Sequence, residues 1–173
     1  MPGRGVGTDT RTQWAGLRRL NDFVDFVLEI ACSILLTVMV TTIFVQVLAR
    51  YVFLASTPWS EEIAVYCFIW VVLLGTSLGV RSHGHLVADV LPDDLPAPIE
   101  KALVALSLAL VTVVALVFLW HGADYARLGI TRLSFSMGFP MVYIYAGMPI
   151  AGAAMLLFLV ERFHVLFASG PKR

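Results

Sequence analysis

Between Ile30 and Ala49 the chain runs twenty residues without a charged side chain. As a helix that run is about 30 Å long, the thickness of a bilayer's hydrocarbon core. Three more runs repeat the pattern, at Ile63–Val80, Ala102–Trp120 and Phe139–Val160, and none holds an Asp, Glu, Lys, Arg or His. Of the 173 residues, 59% are hydrophobic and 14% charged, and the mean hydropathy is +0.85. A soluble domain of this size has no interior large enough for that apolar surface, so the solvent is lipid. The sequence therefore predicts an all-α membrane protein of four transmembrane helices.

The flanks complete the organisation. Residues 1–20 carry Arg4, Arg11, Arg18 and Arg19 among Gly, Thr and Pro, with about the first ten expected to be disordered. Trp14, Leu17 and Leu20 recur every third residue, which fits a short interfacial helix ahead of the first span. The first apolar run is too long for a signal-peptide core and reads as an uncleaved anchor. The membrane domain then occupies residues 21–162, and residues 163–173 form a tail. The N-terminal tail, the 81–101 connection and the C-terminal stretch from Glu161 hold four, two and three of the twelve Lys and Arg; the connections at 50–62 and 121–138 hold three. The excess of basic residues on one side places both termini in the cytoplasm and the Arg50–Glu62 connection outside.

That connection, RYVFLASTPWSEE, gathers most of the polar chemistry at a membrane surface. Arg50 closes the first run and is long enough to snorkel; Pro58 breaks the backbone; Trp59 offers an amphipathic ring. Ser60-Glu61-Glu62 suits the free N–H groups and positive dipole end of a helix start. Two readings stand side by side here, an ordinary helix-loop-helix turn and a docking surface for a partner. Thr42, Gln46 and Arg50 share one face of the first helix, and Gln46 is expected to face another helix rather than lipid. Asp22, Asp25 and Glu29 form an acidic stripe, with Arg18 placed to pair with Asp22. Gly75 and Gly79 make a GxxxG pattern that admits a close neighbour, from this chain or another. Pro149, inside the last run, clashes with the carbonyl of Tyr145 and predicts a kink.

Several function classes lose support. A net charge of zero and the lack of a basic, aromatic-interleaved patch argue against nucleic acid. Cys32 and Cys67 both fall inside apolar runs and read as packing residues. His83 and His85 have only Asp89 nearby as a further ligand, a poor zinc site. All four histidines lie at or beyond span ends, which disfavours a haem bundle, and no acid at depth supports a proton-coupled exporter. No phosphate-binding glycine loop and no nucleophile elbow is present.

Taken in order, Gln46–Phe53 (QVLARYVF), Pro58-Trp59-Ser60-Glu61-Glu62, Trp70 with Leu74-Gly75, His85 and Asp89, then Met137-Gly138-Phe139-Pro140 with Tyr145, Pro149 and Gly152, resemble the small membrane subunit of TRAP transporters, the DctQ-like family. The likeness covers residues 20–160, with one departure at Val87-Ala88-Asp89, where many members carry a basic residue before the Asp. The resemblance implies a non-catalytic bacterial inner-membrane scaffold without a cofactor of its own. It would brace a large subunit that holds the substrate and sodium sites. It would also help dock a periplasmic solute-binding protein for sodium-driven uptake of an organic acid or related solute. Interface candidates are then Arg50, Trp59, Glu61, Glu62, Gln46, Gly75 and Gly79, followed by His85, Asp89, Pro140, Tyr145 and Pro149. Glu61 or Glu62 would pair with Arg50 or with a base on the large subunit. The competing readings are a membrane oxidoreductase subunit and a self-contained small exporter.

Overall fold

A computed structural model describes residues 7–55, 57–90 and 97–168, with side chains at 16, 18–55, 57–82, 99 and 102–163. Four long helices and one short one carry the described chain: α1 (Gly7–Tyr51), α2 (Pro58–Val90), α3 (Ala97–Leu128), α4 (Val142–Tyr145) and α5 (Gly147–Ala168). Four segments are long and apolar enough to cross a membrane: Arg18–Tyr51, Pro58–Ser82, Ala102–Leu128 and Val142–Phe163. The predicted all-α, four-span class is what the structure has. No strand occurs among the described residues, only one isolated bridge between Leu133 and Pro140.

The helices overrun the predicted spans, and the reason is simple. A charged residue ends a hydrocarbon span without ending the backbone hydrogen bonding that makes a helix. α1 is one unbroken helix of 45 residues, about 67 Å long, so no separate interfacial helix is set off before the span and residues 7–10 are helical. α2 likewise continues through Arg81 to Val90, which removes the first half of the expected 81–101 connection. The fourth span starts later than predicted, at Val142 instead of Phe139. Gly138 adopts φ +70°, and Pro140 has no N–H to give a helix, so residues 133–140 fold as a turn. Three residues before Pro149, where a kink is expected, the helix is interrupted at Ala146 and α4 gives way to α5.

Among the described residues the main packing runs α1 against α2, α2 against α5 and α5 against α3 in a row, with a lesser α1–α5 contact. Position in the row governs burial: 6% of the apolar window is buried in α1 and in α3, against 44% in α5. Phe158, Leu74, Leu28 and Ala154 form a core between α1, α2 and α5, joined by half-buried Trp70 and Cys32. Met155, Leu159 and Ala115 form a second core between α5 and α3. Cys32 and Cys67 are free thiols, as expected of packing residues.

Helices in lipid gain from close approach, and here glycine provides it. A Cβ on Gly152 would stand 2.7 Å from the Leu119 backbone nitrogen, and one on Gly122 would stand 2.8 Å from the Met148 Cβ. α3 and α5 therefore touch backbone to backbone. The Ser77 hydroxyl adds a polar tie, 3.1 Å from the Leu73 carbonyl and 3.2 Å from the Ala151 carbonyl across the helix join.

Candidate functional site

The polar residues collect at the two ends of the row. At one end, Asn21, Asp22 and Asp25 of α1 meet Arg81 of α2 and Glu161-Arg162 of α5. Arg81 pairs with Asp22 and, at 2.7 Å, with Asp25; it donates to the Asn21 carbonyl at 2.9 Å and lies over the Phe158 ring. Asp22 is thus held by Arg81 and not by Arg18, because α2 runs past the membrane and brings its arginine to the acidic stripe. Asn21 is fully buried; its amide nitrogen donates to Glu161 Oε2 at 2.5 Å, while Arg162 donates to the Arg81 carbonyl. Three helices are clasped here by groups of this chain alone.

The other end holds the connection that drew most of the sequence argument. α1 finishes on Arg50-Tyr51; the Val52 N–H returns to the Leu48 carbonyl at 2.9 Å and the Ala55 N–H to the Ala49 carbonyl at 3.0 Å. Leu54 takes φ +52°, the left-handed region that a leucine rarely enters, and this reverses the chain. α2 then starts at Pro58, whose missing N–H is harmless in the first turn. The start thus falls two residues before Ser60. Thr57 receives it: its carbonyl accepts the Ser60 N–H at 3.1 Å and the Ser60 hydroxyl at 2.7 Å. Ser60 is fully buried and ties the helix start back onto Thr57.

Glu61 and Glu62 then part company. Glu61 is exposed, while Glu62 turns under the loop that joins α3 to α4. Glu62 Oε1 accepts the Ser134 hydroxyl at 2.6 Å and the Phe135 N–H at 3.2 Å; Oε2 accepts the Ser136 N–H at 3.0 Å; Tyr66 donates its hydroxyl as well. Successive backbone N–H groups around one carboxylate form an anion nest. The loop is braced from within too. Ser134 N–H reaches the Phe139 carbonyl at 2.9 Å, Met141 N–H reaches the Arg132 carbonyl at 2.9 Å, and Phe139 packs edge-on to Tyr66. Phe135, at the tip, is 100% exposed. Arg50 is exposed and has no ion-pair partner among the described residues, so the expected Arg50 pairing with Glu61 or Glu62 within the chain is not made.

The remaining candidates divide the same way. A Cβ on Gly75 would touch nothing within 4 Å, so this half of the GxxxG pattern faces away from the chain's own helices; Gly79 is half-buried. Trp59 is exposed and Gln46 half-buried. Pro140 closes the α3–α4 turn opposite Leu133, Tyr145 packs edge-on to Tyr125, and Pro149 lies against Gly122. The side chains of His85 and Asp89 lie outside the described residues. Sequence reading missed Ser134, Arg81 as a clasp, and Gly122. Ala115, Gly122 and Gly129 recur every seventh residue, and that spacing was a usable sign of a packing seam on α3.

A profile of the family described as tripartite ATP-independent periplasmic transporters, DctQ component, matches residues 39–168. The chain belongs to the DctQ family. The matched residues of this DctQ-family chain run from the later part of α1 to the end of α5 and include both loops of the Glu62 end. A C4-dicarboxylate TRAP transporter small permease protein, DctQ, of Vibrio cholerae is 34% identical over 106 residues, 60% of this chain and 46% of that protein. The match thus spans under half of the Vibrio relative's length. A Haemophilus influenzae protein named as a TRAP transporter small permease protein is 28% identical over 147 residues, 84% of this chain and 91% of its own. The sialic acid TRAP transporter permease protein SiaT of Haemophilus influenzae is 28% identical over 125 residues, 72% of this chain but only 20% of its own length. The DctQ-family chain is therefore a multi-span small permease component of a TRAP transporter.

Proposed function

We propose that the chain is a non-catalytic brace in the bacterial inner membrane. It would stand beside a large membrane subunit that carries the solute and sodium sites, without a cofactor of its own. Its loop end would face outward and help seat a periplasmic solute-binding protein during sodium-driven uptake of an organic acid. The observation that carries this reading is where the polar groups are. The apolar cores are free of Asp, Glu, Lys, Arg and His, and Glu62, Ser134, Arg81 and Asp25 are spent on holding the chain's own helices and loop together. Transport chemistry draws on charged groups at depth, and this chain has placed its own at the ends.

The match to one fifth of the SiaT permease supports a large neighbour, since the same kind of segment there belongs to a much longer membrane protein. The relatives' names, which mention C4-dicarboxylates, sialic acid and isethionate, point to small organic acids as the class. Exposed Glu61 and Trp59 at the loop end, and the open Gly75 on the flank of α2, are the surfaces offered to partners. The test is affinity purification of the tagged chain from its native membranes in mild detergent. A multi-span protein much larger than this chain is expected in equimolar yield; recovery of this chain alone, or with a bound haem, would contradict the reading.

A further inference from the structure

The turn that follows α1 exposes four apolar residues in succession: Tyr51 is 77% exposed, Val52 64%, Phe53 75% and Leu54 88%. Water is a poor surrounding for such a run, which is a patch and not a scatter of single residues. Three observations say what covers it. The first is depth. With Ile30–Ala49 filling the hydrocarbon, Arg50–Leu54 falls in the boundary layer; the left-handed Leu54 and the Ala55 N–H returned to the Ala49 carbonyl at 3.0 Å keep the turn level with the last helical residues. The second is continuity. Exposed Phe44, Val47 and Leu48 run straight into the turn, on a helix whose described neighbours are chiefly α2 and, to a lesser extent, α5. The third is charge. Arg50 stands exposed beside these side chains without an ion-pair partner among the described residues.

We propose that Arg50–Leu54 is a lipid-anchoring turn, in which Arg50 takes the phosphodiester of a phospholipid headgroup while Val52, Phe53 and Leu54 sit at the top of the acyl chains. A planar guanidinium forks onto phosphate oxygens, and the neighbouring apolar side chains prefer the acyl boundary to water. The anchor fixes the depth and lateral footing of α1 at this end, a helix with only 6% of its apolar window buried by its own chain. It goes beyond the subunit role and stands or falls separately from it.

The experiment uses the full chain with Cys32→Ala and Cys67→Ala, carrying a nitroxide at Phe53→Cys or Leu54→Cys, in vesicles of phosphatidylethanolamine and phosphatidylglycerol. Oxygen is expected to relax the label more than a water-soluble nickel chelate does, at the depth of the uppermost acyl carbons; dominance of the nickel chelate would overturn the proposal. In parallel, phosphatidylglycerol retained through detergent exchange is counted by native mass spectrometry. Arg50→Gln is expected to lower retention about fivefold, the weight of one basic residue at an anionic surface, with Arg50→Lys keeping most of it and Glu61→Gln unchanged. Equal retention in Arg50→Gln and the parent overturns the headgroup contact. Labels in the assembled transporter that are shielded from both oxygen and nickel would mean that a protein covers the turn, which sinks the anchor and leaves the subunit role intact.

Discussion

Replacing Glu62 with glutamine puts an amide where the loop grips a carboxylate, so one of its oxygens becomes a donor facing the Phe135 or Ser136 N–H. Charge-assisted acceptance is lost, and one backbone N–H is left without its partner. The expected outcome is much faster hydrogen exchange at Phe135 and Ser136 in Glu62→Gln, with Glu61→Gln at the parent rate; equal exchange in the two variants would contradict the latch. In the sequence, Glu61 and Glu62 were indistinguishable, because one residue of rotation on a helix decides which carboxylate meets a loop seventy residues away. The polar character of the stretch was legible. Its division into a latch and a free acid was not, since the acceptor's partners are backbone groups of a loop whose path depends on Gly138 and Pro140.

Among the helices, the glycines separate two kinds of contact. Gly152 sits where α3 and α5 touch, and Gly75 sits on an open flank. Gly152→Leu is expected to destabilise the purified chain by about 1–3 kcal/mol, the usual cost of overpacking, and a smaller side chain does not escape it, since even a Cβ meets backbone. Gly75→Leu is expected to leave thermal stability unchanged while reducing recovery of a large partner. A stability loss of similar size in both would show that the two faces are not distinct. The sequence made GxxxG conspicuous and the α3–α5 seam inconspicuous for a physical reason. Small residues in one helix are meaningful only beside the helix they approach, and the Ala115-Gly122-Gly129 spacing crosses from the apolar run into the polar end of α3. The four spans themselves were readable because lipid imposes length and apolarity directly on the chain; their ends were blurred because helices α1 and α2 outlast the hydrocarbon.

For the molecule as a whole, an open row leaves broad flanks of α1 and α3 to lipid or to a neighbour, whereas a closed bundle would satisfy itself. The basic-residue count predicts that the loop end lies outside. A cysteine introduced at Ser136 in a Cys-free background is then expected to react with a membrane-impermeant maleimide in intact cells, and one introduced at Arg173 only after permeabilisation; the reverse pattern would invert the topology. The central claim is that the chain contributes to transport without conducting it. Sodium-driven solute uptake into proteoliposomes tests this most directly, comparing the chain alone, the large subunit with the binding protein, and all three together. Uptake only with all three is the expected result; uptake by the chain alone, or undiminished uptake without it, would contradict the account.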